Sequence, residues 1–441
     1  MSAGPDAYVN GKVFDIGDLD THVDIVNPDS YVGGFPHATF RRLRDDDPVS
    51  WCEEHDGGKG FWAVTRYDDL LNVSRNVEVF SSAQGITLEE MDPDDFAARR
   101  NMLEYDPPEH TRYRRLVSKP FSRREVYAYE NGIRLLARTV VDEARELGDR
   151  FDYVDRVAKQ LPMRMLGRLL GVPDDDGDWL VERGDALLGN FDPEMTEHPL
   201  GLTNTDEFKH IPFRSPAALD LYRYAEQQAE QRRVHPTDDV ISRLLAPTID
   251  GEALTELEFK NFFVLMVSAG NDTSRYTMTA GLKALAERPD QLAELRDACI
   301  AGAGGEGAGA LVESAVEEIL RWGTVTMHFR RTATQDIKLN GQKIKRGDKV
   351  VIWFTSANYD ERQFPEPFRF DIHRTPNDHV AFGRMSPHLC LGAQLARMEI
   401  KVLLEELLPR LSDVQLDGPS ERLRSNFICG IKRLPIRVSW N

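Results

Sequence analysis

From Thr255 to Glu287 the chain repeats apolar residues at three- and four-residue spacing, the pattern of one long helix. A polar insertion, Ala269-Gly270-Asn271-Asp272-Thr273-Ser274, sits in its middle. An acid and a hydroxyl compete for backbone hydrogen bonds in a helix interior, and Gly270 lets another body approach the backbone. The pattern predicts a helix locally opened beside a ligand and able to pass protons. An Asp-Thr pair taken alone reads more readily as a solvated polar patch. Asn131 to Leu147, Ala217 to Val234 and Leu391 to Leu408 carry the same periodicity; Pro409 stops the last of them. Strand signals cluster at Phe61 to Thr65 and at Ile337 to Trp353, with a hairpin signal at Asn340-Gly341. The expectation is a mainly α fold with small β-sheets, a single domain over residues 1–441 that is irregular to about residue 25.

Two irregular stretches interrupt the helices. Ala301 to Ala310 contains Gly302-Ala303-Gly304-Gly305-Glu306-Gly307, which matches the dinucleotide fingerprint G-x-G-x-x-G by letter. That fingerprint works only after a strand, and here the helical segment Pro289 to Cys299 precedes it, so it reads as a flexible inter-helix loop. Pro193 to Pro216 has a polar middle and reads as a lid.

Composition narrows the function classes. The 441 residues, 41% hydrophobic and 29% charged, suffice for a substantial core. Lys+Arg 55 against Asp+Glu 73 leave a net charge of −18, which argues against a nucleic-acid-binding face. Cys52, Cys299, Cys390 and Cys429 are too few and scattered for a disulfide framework and suit a reducing compartment. Met1 to Asn10 shows no signal-peptide pattern, and the most apolar stretch, Phe262 to Val267, is far short of a membrane span. A cytoplasmic protein without a membrane span is expected, and the sequons at Asn72 and Asn271 read as chance matches.

The segment that carries most chemistry is Phe382-Gly383-Arg384-Met385-Ser386-Pro387-His388-Leu389-Cys390-Leu391-Gly392, which opens the last long helix. A cysteine at a helix N-terminus meets unpaired N–H groups and the positive end of the dipole, and both favour the metal-ligating thiolate. Taken alone, it is as readily a buried structural thiol. Glu318-Ile319-Leu320-Arg321 places an acid and a base three apart on one helix face, by itself a structural ion pair.

In combination and order, A-G-x-D-T-S, E-x-x-R and F-G…H-x-C-x-G, from about Asn27-Pro28 to Pro435, resemble the cytochrome P-450 family of haem-thiolate monooxygenases. The resemblance implies the fold of that family in a single haem-containing domain. It implies haem b (iron protoporphyrin IX) with Cys390 as thiolate ligand, and His110, Arg114, Arg331 and His388 on the propionates. Glu318 and Arg321 would form the structural pair, with Arg369 as third member. Thr273 would hydrogen-bond dioxygen and Asp272 would help to relay protons from outside.

The sequence departs from the family in one place. Four residues, Arg384 to Pro387, stand between F-G and H-x-C where three are usual, with Met385 or Ser386 in place of a glycine. The loop around the sulfur is expected to bend differently. A loop of this length is similar to the branch that hydroxylates steroid side chains and methyl-branched lipids. Gly60-Phe61-Trp62-Ala63-Val64, Ser356-Ala357-Asn358 and Glu421-Arg422-Leu423-Arg424-Ser425 also resemble that branch, and Asn426 to Val438 resembles terpene-alcohol hydroxylases.

The implied activity is hydroxylation of an apolar small molecule, a steroid, terpenoid or branched lipid, with dioxygen and two external electrons. The alternatives are a family member tailoring a macrolide or aromatic metabolite, and a haem sensor; proton-delivery residues argue against the sensor. Electrons would come from a ferredoxin-type donor with its NAD(P)H reductase. The basic run Arg112, Arg114, Arg115, Lys119, Arg123 and Arg124 is a candidate docking face for that donor, or else a solvated helix face. Pocket-lining segments are expected around Ile86, Leu103, Leu188 to Phe213, Val264 to Ser268 and Val325 to Phe329.

Overall fold

Thr255 starts the longest helix, Glu256–Ala286: its side chain accepts from the Glu258 N–H while Glu258 accepts from the Thr255 N–H. The computed structural model describes residues 6–9, 12–15, 23–55, 57–247, 251–302 and 308–441. At 31 residues the helix is about 46 Å long and runs through the core, with Phe262, Phe263, Val264 and Val267 almost fully buried. Helices Gln160–Leu170, Gly177–Leu188, Ala217–Val234 and Ala308–Trp322 pack against it. A Cβ at Gly281 would stand 2.7 Å from Ile319 Cγ2, so glycine sets how closely the Ala308–Trp322 helix approaches.

The final helix, Ala393–Leu407, packs on Arg123–Glu146 and on Ala308–Trp322. Ser122 caps the Arg123–Glu146 helix through the Glu125 N–H. The largest sheet has the strand order Val49–Cys52, Phe61–Val64, Lys349–Trp353, His328–Ala333 and Phe80–Ser81. Lys349–Trp353 runs parallel to Phe61–Val64 and antiparallel to His328–Ala333, with Val350 opposite Arg331. Asn340 and Gly341 both adopt positive φ, as a two-residue hairpin turn requires, and join Ile337–Leu339 to Gln342–Ile344.

The fold is mainly α with small sheets, as expected, but differs in detail. The N-terminal residues, expected to be irregular, contain an antiparallel pair, Asp6–Val9 with Lys12–Asp15, and the sequence between them is Asn-Gly, a hairpin signal. The Glu256–Ala286 helix is unbroken through its polar insertion instead of opening there. Helices Pro289–Gly302 and Ala308–Trp322 occupy both ends of the glycine-rich run read as a loop, and its centre, 303–307, lies outside the described residues. Residues 193–216 hold only short turns, among them Asp206–Phe208 and Pro212–Arg214.

Candidate functional site

The chain folds back on itself before the final helix. The Cys390 N–H donates to the Phe382 carbonyl at 2.9 Å, and the Ala393 N–H donates to the Cys390 carbonyl at 3.4 Å. Met385 adopts φ 57°, so the residue standing where a glycine is usual takes the left-handed backbone that glycine takes most readily. Cys390 keeps accessible surface in this loop. Burial raises its thiol pKa; the Gly392 N–H, Arg114, Arg397 and the Ala393 N–H act the other way and favour thiolate.

Beside it four polar groups converge from separate elements. His110 and Arg114 sit on the Glu109–Val117 helix, Arg331 on the strand His328–Ala333, and His388 on the cysteine loop. The rings of His110 and His388 lie 4.2 Å apart. Both ring nitrogens of His110, Nη1 of Arg114 and Nδ1 of His388 are buried without a hydrogen-bond partner among the described residues. Arg331 is 3% exposed, and its side chain donates to the Arg330 carbonyl. Burial, then Arg331, His110 and Arg114, drive the His388 pKa down to about 2. Burial and Arg114 lower His110 to about 4, and burial lowers Arg331 to about 10. Orphaned donors in a positively charged pocket cost stability unless an anion satisfies them. This donor set fits a partly buried ligand bearing carboxylates.

On the long helix, Ala269, Gly270 and Thr273 fall on one face. Ala269 and Gly270 are exposed although buried residues precede and follow them, so this face of the helix is left uncovered by protein. The Thr273 hydroxyl donates to the Ala269 carbonyl at 2.7 Å, and Thr277 repeats the pattern on Thr273. This i to i−4 bonding explains how the helix accommodates its hydroxyls without opening. Asp272 points to the other side and is 1% exposed. Arg275 pairs with it at 3.0 Å and with Asp185 of the Gly177–Leu188 helix at 2.7 Å. Burial acts to lower the Arg275 pKa, yet Asp272 and Asp185 hold it well above its ordinary value. The structure therefore gives the acid and the alcohol different surroundings, an ion cluster and an uncovered helix face. Leu188, Met195, Phe213, Val325, Phe427 and Ile428 pack together nearby around Tyr276, joining segments expected to line a pocket.

The Glu318–Arg321 pair is fully buried and bidentate, with Nε and Nη2 each 2.8 Å from a Glu318 oxygen. Its third charged member is Arg374, whose Nε lies 3.1 Å from Glu318 Oε2, and not Arg369 as expected. Phe368 and Phe370 are buried, which turns the Arg369 side chain between them outward to Glu366; only its carbonyl faces the network. Asn377 and the Asp371 N–H complete the carboxylate's partners.

Two further clusters carry no signal in the sequence. Arg397 stacks over Phe382 at 4.7 Å and pairs with Glu317 at 2.6 Å, while His379 reaches the same carboxylate at 3.0 Å. Although burial raises it, Arg397 and His379 bring the Glu317 pKa down to about 2. On the other side Ser82 Oγ lies 3.3 Å from His388 Nε2, and Asp106 accepts from the Ser82 N–H at 2.9 Å. Of the basic run, Arg112 pairs with Glu258 and Arg115 with Glu252, while Lys119, Arg123 and Arg124 remain exposed.

Comparison with known proteins gives concordant matches. The family profile described as Cytochrome P450 matches residues 220–436. Over 411 residues the chain is 37% identical to a methyl-branched lipid omega-hydroxylase of Mycobacterium tuberculosis, covering 92% of this chain and 91% of that one. It is 35% identical over 422 residues to a steroid C26-monooxygenase of the same species, covering 93% and 91%. A Mycobacterium marinum cytochrome P450 solved in complex with pseudoionone superposes with a TM-score of 0.81 at 38% identity, covering 91% of this chain and 94% of that one.

Proposed function

The chain belongs to the cytochrome P450 family, and from that membership we propose that it hydroxylates a steroid, terpenoid or branched lipid at an unactivated C–H bond. It is a monooxygenase with a haem cofactor. The observation that carries the substrate class is identity across nine-tenths of the chain to a branched-lipid hydroxylase and a steroid monooxygenase.

When bound, haem supplies the iron that activates dioxygen for insertion of one oxygen atom. We assign it as haem b, with Cys390 as the thiolate ligand and His110, Arg114, Arg331 and His388 on its propionates. The orphaned buried donors support that assignment. Arg397 and Phe382 hold the cysteine loop, and Ser82 with Asp106 orients His388. Thr273 turns its hydroxyl from the Ala269 carbonyl toward dioxygen, and Asp272, on leaving Arg275, takes up a proton from solvent and passes it on toward the Thr273 hydroxyl. The apolar cluster around Tyr276 excludes water from the reacting bond. Electrons come from a ferredoxin-type donor with its NAD(P)H reductase. The exposed Lys119, Arg123 and Arg124 favour an acidic ferredoxin as the donor.

The test is product analysis under labelled dioxygen, with a ferredoxin, its reductase and NADPH. The expected outcome is a steroid with an intact side chain, a methyl-branched fatty acid or a terpene alcohol that gains one labelled oxygen. Oxidation confined to macrolide or aromatic substrates would overturn the substrate class.

A further inference from the structure

The irregular strap 190–216 contributes Met195 and Phe213 to the apolar cluster around Tyr276, and it also contacts the segment 86–105. Their meeting point is Glu89. The backbone around it is pinned to the main sheet, because the Arg330 N–H donates to the Ile86 carbonyl at 2.8 Å and Arg330 Nη1 to the Glu89 carbonyl at 2.9 Å. Lys349 adds a bond to the Leu88 carbonyl at 3.1 Å and an ion pair with Glu90 at 2.8 Å. The Glu89 side chain leaves this post in the other direction. Arg99 pairs with it and also donates to the Ile211 carbonyl of the strap at 3.1 Å. Arg214 of the strap reaches the other Glu89 oxygen at 3.4 Å.

The strap itself is under strain at this point. Phe213 and Arg214 adopt φ 58° and 50°, two successive side-chain-bearing residues in the left-handed region. Nε of Arg214 is buried without a partner among the described residues. The closed arrangement thus keeps two unfavourable features that the Glu89 contacts offset. Phe213 is placed by it against Leu188, Tyr276 and Val325, with its carbonyl accepting from Asn190 at 3.1 Å.

We propose that Glu89 is the fixed post of a latch: its pairs with Arg99 and Arg214 hold the strap closed and place Phe213 over the pocket, so that they set how fast bulky ligands pass. Release at Glu89 lets the strained Phe213–Arg214 step relax and the strap lift, while the sheet and the post stay in place. The assignment of the space under Phe213 as the substrate pocket rests on the functional reading above; the latch rests on the contacts alone.

The test compares Glu89→Gln with the wild-type holoenzyme, using 4-phenylimidazole as a bulky iron ligand and cyanide as a small one, followed by absorbance. Association and dissociation of 4-phenylimidazole should both rise roughly tenfold, the scale of one charge-assisted contact, while cyanide rates stay put. Backbone amide exchange across 190–216 should also quicken, a measurement that needs no haem. Arg214→Gln should reproduce both effects, and adding it to Glu89→Gln should give little more. Wild-type amide exchange across the strap, or wild-type azole rates, in Glu89→Gln would overturn the latch. A wild-type protein that lacked the thiolate spectrum would instead overturn the functional reading, leaving the exchange result to judge the latch.

Discussion

Thr273→Ala is expected to go on consuming reductant while product per reductant falls and hydrogen peroxide accumulates. Thr273 shares its helix face with the exposed Ala269 and Gly270, so its hydroxyl is the donor on that face. On the proposed role, removing it leaves dioxygen without a hydrogen bond, and reduced oxygen would escape. Asp272→Asn should behave differently. The amide keeps the shape, and Arg275 keeps Asp185 as a partner, so the fold persists. The titratable group is gone, and turnover should fall by about 10²–10⁴-fold, or roughly 3–5 kcal/mol of barrier. Parallel assays of oxygen, reductant, peroxide and product separate the two patterns. Full coupling and normal turnover in both variants would mean that neither residue delivers protons.

Arg321→Ala should destabilise the fold more than any other change in this network and lower the yield of haem-loaded protein. The guanidinium is fully buried and donates to both Glu318 oxygens and, at 2.9 Å each, to the carbonyls of Asn358 and Pro367. Its loss strands the Glu318 carboxylate and two carbonyls in the interior, a change of about 3–5 kcal/mol. Total stability is only about 5–15 kcal/mol. Arg321→Lys should rescue little, because an ammonium cannot bridge both oxygens in the same plane. Arg374→Ala should destabilise less, since Arg321 stays on Glu318. Arg369→Ala should stay within about 1 kcal/mol, because that side chain lies 61% exposed in a surface pair. Urea denaturation of the four variants checks the order; equal losses for Arg369→Ala and Arg374→Ala would contradict it.

These two predictions also mark where sequence reading succeeds and where it stops. The long helix was legible because its apolar spacing and its cap are local, and so was the Glu318–Arg321 pair one turn apart; Cys390 was expected to open the last helix and instead lies three residues ahead of its first residue, Ala393. Arg374 was not, because it lies 56 residues from Glu318 in irregular chain, where no periodicity says which way a side chain points. Ser82 is 306 residues from the histidine it orients, and a serine after a strand carries no signal of its own. The side of the helix on which Asp272 lies follows from its spacing, but the Asp185 carboxylate on another helix, which shares Arg275 with it, does not. Met385 could be flagged as standing in a glycine's place, yet only the backbone reveals that it takes φ 57° there.

The central claim is that Cys390 is the thiolate that holds the haem, and the spectrum of the reduced carbon monoxide adduct tests it most directly. The purified wild-type protein should show the strongly red-shifted Soret band of thiolate ligation. Cys390→Ala should lose that band entirely, while Cys52→Ser, Cys299→Ser and Cys429→Ser keep it. Burial raises the thiol pKa of each of these three, and none begins a helix. A thiolate-type band persisting in Cys390→Ala, or lost in one of the other three at full haem content, would contradict the account.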